Sequence, residues 1–378
     1  MKIQEAKLYN LNVPLMHPYQ LSKEYGLVTD ATIVVVELHT DNGLIGWGEC
    51  DPWPAFTGDS SDSVMLLLKQ TILPAVIGED PCNIHKIHQI MDRCITGNHV
   101  AKSAVDMACH DLFGKAHNLP VHSLLGGKRR DEMPCFLSVG GGTPEQTVEA
   151  VLDVKKKGFR GCMLKIGGED HKNDINRTLA AREAVGPDFP MVADANQGWD
   201  VDTAIAYGKA VENVGLLFIE QPVKAWDVKG MAQVRKKIST PLSADEGVVT
   251  IHDAVRLIEA QACDVFSVKV TKHGGIYPTK KICEYAAVNN IKVFFNSMHE
   301  EGITQAASLQ VAATAEMLVP TIGHSFFSPM RLKRDITDFH TWTNNGMTAI
   351  PEKPGLGFII NEENLNHFTI ETCTVTNK

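Results

Sequence analysis

The chain has 378 residues, 44% of them apolar and 21% charged, with 36 Lys plus Arg against 45 Asp plus Glu and a net charge of −9. That balance excludes a non-specific nucleic-acid binder, which needs a basic surface, and no apolar stretch approaches the roughly 20 residues of a membrane span. The length points to one large barrel or to two domains.

The N-terminus, MKIQEAKLYNLNVPL, is polar from the start and reads as a strand rather than a secretory signal. Residues 32–38 form a β-branched run, Asp41-Asn42-Gly43 a hairpin turn, and residues 44–49 the returning strand. A Pro/Gly-rich loop over 50–58 carries Trp53 and Phe56. From about 60 to 120 the pattern is helical, with Ala101, Ala104, Val105, Ala108, Leu112 and Phe113 at helical spacing. Gly126-Gly127 closes this α+β module, placed at 1–128. Nine scattered cysteines with no CxxC pair read as reduced, mostly buried thiols of a cytoplasmic protein.

From about 130 the texture changes. Eight short β-rich runs, at 134–138, 162–166, 191–194, 217–220, 242–245, 265–269, 293–296 and 319–323, alternate with amphipathic helices. Thr250, and Asp200 or Asp202, are placed to cap two of those helices. Eight alternating strands predict an α/β fold with a (β/α)8-type barrel over 129–354. An open doubly wound sheet is the alternative, but no GxGxxG follows any of the runs.

Buried parallel strands should read as plain apolar runs. Here five successive ones end in a charge: Lys165, Asp194, Glu220, Asp245 and Lys269, each roughly one βα unit from the last. In such a barrel the C-terminal mouth holds the chemistry, with groups supplied by several strands. Asp194, Glu220 and Asp245 end neighbouring strands and converge on one arc. Three carboxylates that close need a cation, and an oxygen-only set suits Mg²⁺ rather than zinc. Lys165 and Lys269 end strands four apart in a ring of eight, so they face each other across the mouth. The cation and each other's charge are expected to lower both ammonium pKa values. A lysine on each face of a bound carboxylate suits removal of an α-proton from one face and its return on the other.

These residues, with Gly46-Trp47-Gly48-Glu49, the helix from Ala101 to Asp111-Leu112, Leu124-Leu125-Gly126-Gly127, Asp194-Ala195-Asn196, Ile219-Glu220-Gln221-Pro222 and Lys269-Val270-Thr271-Lys272-His273-Gly274-Gly275, resemble the enolase superfamily, muconate lactonizing enzyme subgroup. The resemblance implies a modified TIM barrel under an N-terminal α+β capping domain. It implies Mg²⁺ on Asp194, Glu220 and Asp245, and Lys165 and Lys269 as the acid/base pair. Loops at 17–25, with Tyr25, and at 53–58 would close over a small-molecule carboxylate, and a segment at 355–378 would pack back on the cap. A homo-oligomer is expected on the same analogy. Three positions depart from the family pattern. Met163 replaces the first lysine of Lys-x-Lys, Met298 with His299 beside it stands where one branch has a catalytic His, and residues 321–325 lack an acid.

Other polar positions have two readings each. Asn196 orients a metal ligand or caps a turn. Glu246 supports the metal site or replaces Asp245 in it. Trp53 and Phe56 stack on a cationic substrate or pack the cap. His273 is a surface loop residue or touches substrate, and Glu300 and Glu301 start a helix or reach the mouth. The leading expectation is a racemase or epimerase of an amino acid or N-substituted amino acid, such as a proline, hydroxyproline or betaine derivative. The alternatives are a syn-dehydratase or cycloisomerase using the same enolate, and a non-catalytic metal-binding scaffold.

Overall fold

The computed structural model describes residues 1–376. Three antiparallel strands, Ile3–Gln20, Leu27–Thr40 and Ile45–Cys50, open the chain, and the last strand, Thr369–Thr376, adds to the outer edge of the first with Leu8 opposite Cys373. Val34, Val36 and Leu38 alternate with Ile33 and Val35, and all are fully buried. Successive side chains leave a strand on opposite faces. One set therefore packs with the cap helices and the other with the barrel core, which is why the run is apolar throughout rather than alternating.

The helix His99–His117 lies on the strand Ile45–Cys50. Gly46 and Gly48 allow the close approach: a Cβ at Gly48 would stand 1.7 Å from the Ala104 carbonyl oxygen, and one at Gly46 2.4 Å from that of Ala108.

The second sheet is parallel, in chain order: Leu137–Val139, Cys162–Lys165, Met191–Asp194, Ile219–Glu220, Leu242–Ala244, Val265–Val268 and Lys292–Phe295. Residues 318–325 close it into a barrel through single bridges rather than a regular strand. Val319 N donates to the Val293 carbonyl at 2.8 Å and His324 N to that of Pro134 at 3.0 Å. Pro320 has no N–H to give and Gly323 turns left-handed at φ 27°, so the eighth run pairs only in fragments. The first run also splits. Glu132–Pro134 joins a small sheet with Met347–Ala349, and only Leu137–Val139 enters the barrel. Asp200 and Thr250 cap their helices by accepting from Thr203 N and Asp253 N.

Phe136, Met163, Val192, Phe218, Val265, Phe294, Val319 and Ile322 fill the barrel interior as one cluster. Side chains two apart on a strand share a face. The next inward positions after Phe136, Met163, Val192, Phe218 and Phe294 are Ser138, Lys165, Asp194, Glu220 and Asn296. An apolar plug thus floors a polar mouth.

Acidic groups of the cap hold the two parts together by accepting backbone N–H groups of the other. Glu49 accepts from Glu301, Ile303 and Thr304 at 2.7–3.1 Å, at the start of the helix Gly302–Thr314. Asp51 accepts from His299 N at 2.7 Å, Asp106 from Ile276 N at 2.5 Å and Asp111 from Leu356 N at 3.0 Å. The helix expected to start at Glu300 and Glu301 begins at Gly302, with Glu301 at its N-cap and Glu300 just before it. The N–H groups there are served by Glu49, while Glu301 accepts from Ile336 N at 2.7 Å and Glu300 from Gln305 Nε2 at 2.9 Å.

Candidate active site

The site is built at the strand ends, where backbone register lines up the side chains. Lys165 pairs with Asp194 across one strand boundary and Asp194 with Glu220 across the next. Ser243 pairs with Glu220, so Asp245, two residues on, shares the inward face. Ser267 and Lys269 stand in the same relation on the next strand. Asp194, Glu220 and Asp245 are fully buried, and Lys165 and Lys269 nearly so.

Lys165 Nζ donates to Asp194 Oδ2. Lys269 Nζ donates to Asp245 Oδ2 at 2.5 Å. Lys272, from the single helical turn Val270–His273, donates to Asp245 Oδ1 and to the Asp245 carbonyl, both at 2.7 Å, and to the Ser267 carbonyl at 2.9 Å. Glu220 Oε1 receives Asn296 Nδ2 at 3.3 Å and Ser267 Oγ at 3.5 Å, while its Oε2 is buried without a donor.

These contacts set the charge balance. Burial pulls the Lys165 and Lys269 ammonium groups toward neutrality, but the carboxylates of Asp194 and Asp245 outweigh it, and both lysines end above the ordinary lysine value. That direction belongs to the chain's own groups; the expected lowering included the charge of a bound cation. Burial raises the Glu220 carboxyl well above its usual range, and Asp194 and Asp245 push it the same way. Burial also acts on Asp245, but Lys269 and Lys272 overcome it and hold the carboxyl low.

Among the described residues no three His, Cys, Asp or Glu side chains stand gathered as a metal cluster, because Asp194 and Asp245 are turned to the lysines. The donor set nonetheless fits a hard cation. It is all oxygen, it is held on adjacent strands in register, and Glu220 Oε2 is a buried acceptor with nothing to accept.

The flanking polar residues support this arc. Asn196 N donates to Asp194 Oδ1 at 2.9 Å, and its Nδ2 lies 3.4 Å from Glu246 Oε1. Tyr25 reaches over from the cap and donates its hydroxyl to the same Glu246 oxygen at 2.8 Å, while Gln197 Nε2 donates to the Tyr25 oxygen at 2.9 Å. Burial, then Asp245, raises Glu246 to about 7. Gln221 Oε1 accepts from Asp245 N and Gly247 N at 2.9 and 3.0 Å. Asn196, Gln197 and Gln221 have φ of 41°, 65° and 33°, strained for residues with a Cβ.

A cleft opens above the lysines. Trp53, Phe56 and Tyr25 line it from the cap, and Met298 and His299 from the barrel. Trp53 and Phe56 stack at 5.6 Å with planes 5° apart, and Lys269 Nζ lies 4.3 Å from the Phe56 ring centroid. His299 packs against Trp53 at 4.3 Å and Phe327 at 5.0 Å; burial, then Lys269 and Lys165, pulls its imidazole down to about 3. Met163 belongs to the barrel plug, so Lys165 has no ammonium neighbour from that position. His273 is buried, with Nδ1 at 2.8 Å from the Val249 carbonyl, and is not the surface residue that its loop sequence suggested.

Sequence reasoning did not single out Lys272, Gln221, Asn296, Tyr19 or Arg331. Lys272 and Gln221 stood next to recognised positions, inward parity could have found Asn296, and Tyr19 lay within the 17–25 segment expected over the substrate. Arg331 comes to the cleft from a distant segment, with no local pattern to mark it.

Residues 146–364 match the family model described as enolase C-terminal domain-like, and residues 3–126 that of the mandelate racemase / muconate lactonizing enzyme N-terminal domain. The chain is 35% identical to N-succinyl-L-Arg/Lys racemase of Bacillus cereus over 98% of each chain. The crystal structure of the N-succinyl Arg/Lys racemase from Bacillus cereus superposes with a TM-score of 0.95, over 99% of this chain and 100% of that one. The dipeptide epimerase of Cytophaga hutchinsonii, solved with Mg and the dipeptide D-Ala-L-Val, gives 0.92 at 29% identity, over 100% of both chains. Chloromuconate cycloisomerase of Cupriavidus pinatubonensis is 29% identical over 89% of this chain and 90% of its own.

Proposed function

The chain belongs to the mandelate racemase and muconate lactonizing enzyme family of the enolase superfamily, and from that premise we propose that this isomerase racemises N-acylated α-amino acids. Lys165 and Lys269 are the two proton carriers in this reading, and Asp194, Glu220 and Asp245 hold one Mg²⁺. The observation that carries it is a pair of buried lysines at one cleft, each bonded to a carboxylate at a strand end.

When bound, Mg²⁺ supplies electrostatic stabilisation for the charge that gathers on the substrate carboxylate as the α-proton leaves. Everything else is done by the chain. Lys165 and Lys269 would compete with a cation held by Asp194, Glu220 and Asp245 for the negative charge of those carboxylates, and the weaker hold on the ammonium groups would let one Nζ be neutral, as a base must be, while the other stays protonated. One Nζ takes the α-proton, the other returns a proton to the opposite face, and the configuration inverts. The cap aromatics exclude water above the lysines. His299, neutral and wedged between Trp53 and Phe327, packs rather than transfers protons.

The N-acyl class follows from the wall of the cleft. Its charged side chains are Lys165, Lys269 and Arg331, all positive. A free α-ammonium would find no carboxylate there, whereas an amide nitrogen carries no charge to pair. The relative named for N-succinyl amino acids supports this choice. A betaine fits less well, because the Phe56 face already holds the Lys269 ammonium. Cycloisomerisation is the second reading, supported by the relative of that name. Assembly as a closed homo-oligomer belongs to the same proposal; a monomer in sedimentation at micromolar concentration would contradict it.

The test is α-proton exchange in D₂O, followed by NMR with Mg²⁺ and each enantiomer of an N-acyl amino acid. Lys165→Ala should stop exchange of one enantiomer and Lys269→Ala that of the other, with racemisation lost in both. A cycloisomerase would instead lose all exchange in one variant and keep much of it in the other. Full racemisation by either variant would overturn the two-base assignment.

A further inference from the structure

One charged group of the cleft is not used by the proton chemistry. Arg331 ends the short helix Ser328–Arg331 that follows the closing segment of the barrel. Its guanidinium carbon lies over the ring of Tyr19 of the cap, 3.8 Å from the ring centroid, and one nitrogen donates to the Ser138 carbonyl in the first barrel strand. The ring and that single bond hold the group at the wall of the cleft. A guanidinium has five N–H donors, and among the described residues no carboxylate pairs with it and no other acceptor takes its remaining hydrogens. Tyr19 is 6% exposed, lines the same cleft, and has a buried hydroxyl without a partner. An oriented, unpaired guanidinium beside an unpartnered hydroxyl is a built receptor for a planar anion.

Resting on the N-acyl racemase reading, we infer that Arg331 and Tyr19 form a second anion subsite that binds a carboxylate of the substrate other than the one at the reacting carbon. The substrate is then a dianion, with one carboxylate over the lysines and one on Arg331. That carboxylate has two chemical sources, the end of a dicarboxylic acyl arm or an acidic amino-acid side chain. Both present the same planar group.

The experiment compares kcat/KM for α-proton exchange within two matched pairs. The first is an N-succinyl amino acid against its N-succinamoyl analogue, and the second N-acetylglutamate against N-acetylglutamine. The wild type should favour the carboxylate by about 10- to 100-fold in one pair, the range of a charged hydrogen bond, and the pair that responds identifies the source. In Arg331→Met that preference should fall to within about threefold, and Tyr19→Phe should lower it part of the way. Near-equal rates in both pairs for the wild type, or an undiminished preference in Arg331→Met, would overturn the subsite and leave the racemase reading standing. No exchange of any of the four compounds by the wild type would overturn that reading, and the subsite with it. If Arg331→Met fails to fold, the Tyr19→Phe and Arg331→Lys ratios decide in its place.

Discussion

Lys272 shows how a buried charge is made tolerable. Its ammonium has three oxygen acceptors within 2.9 Å and almost no exposure to water. Removing one partner of a buried pair strands the other, which typically costs about 3–5 kcal/mol. Lys272→Met should therefore lower stability in urea by about 3 kcal/mol without added metal. A loss under about 1 kcal/mol would mean that Asp245 is adequately served by Lys269 alone. Tyr25 makes a contrasting case. Its hydroxyl ties the cap to Glu246, so Tyr25→Phe should reduce kcat/KM by about tenfold, the scale of one neutral-to-charged hydrogen bond, with little change in Tm. An unchanged kcat/KM would place Tyr25 outside the closed site.

At the scale of elements, the loop carrying Trp53 and Phe56 is a lid in composition and in place. It stands outside the barrel, yet its rings pack on Tyr25 and His299 above the lysines. Trp53→Ala should change KM and the order of preferred substrates more than the exchange rate of bound substrate; an unaltered substrate profile would count against a selecting role. The strand Ile45–Cys50 carries a second device. Burial pushes its Glu49 up to about 8 even though three backbone N–H groups bond it. A carboxyl with a raised folded pKa keeps its proton where the unfolded chain has lost it. Its contribution is full below the ordinary carboxylate pKa and is lost as pH rises toward 8. Tm should fall between pH 5.5 and 8.5, and Glu49→Gln should flatten that fall while lowering Tm at the acidic end. Parallel curves for wild type and variant would rule out this titration.

For the whole molecule, cap and barrel share one core: Leu11, Val13, Ile33 and Val35 of the cap sheet cluster with the barrel's own apolar residues. Asp106 fastens the other side. Burial alone would raise its carboxyl, but His110 and His88 more than reverse this and hold it below the usual range. Here the sign is opposite to that of Glu49: the stabilisation is present above the ordinary carboxylate pKa and is lost as pH falls. Asp106→Asn should destabilise by about 3 kcal/mol at pH 7 and should unfold cap and barrel in one transition. Two separated transitions would show that the cap folds by itself.

Much of this was written locally. β-branched runs, helix caps and a charge at each strand tip depend on near neighbours in the chain, so the repeat, the cap helices and the identities of Lys165, Asp194, Glu220, Asp245 and Lys269 were readable without coordinates. Inward parity extends that reading to Asn296. What tertiary structure alone decided depends on contacts between distant segments. The eighth strand pairs in fragments because Pro320 interrupts it, although barrel closure still demands an element there. The carboxylates raise both lysine pKa values because Lys165 meets Asp194 of the following strand and Lys269 meets Asp245 of the preceding one, and pKa depends on the partner rather than on the repeat. Glu49, Asp106 and Asp111 looked like sequence landmarks, and the fold makes them acceptors for N–H groups of other segments. Tyr19 and Arg331 are 312 positions apart in the chain and 3.8 Å apart at the ring, and no spacing rule links residues that meet only when the cap closes on the barrel.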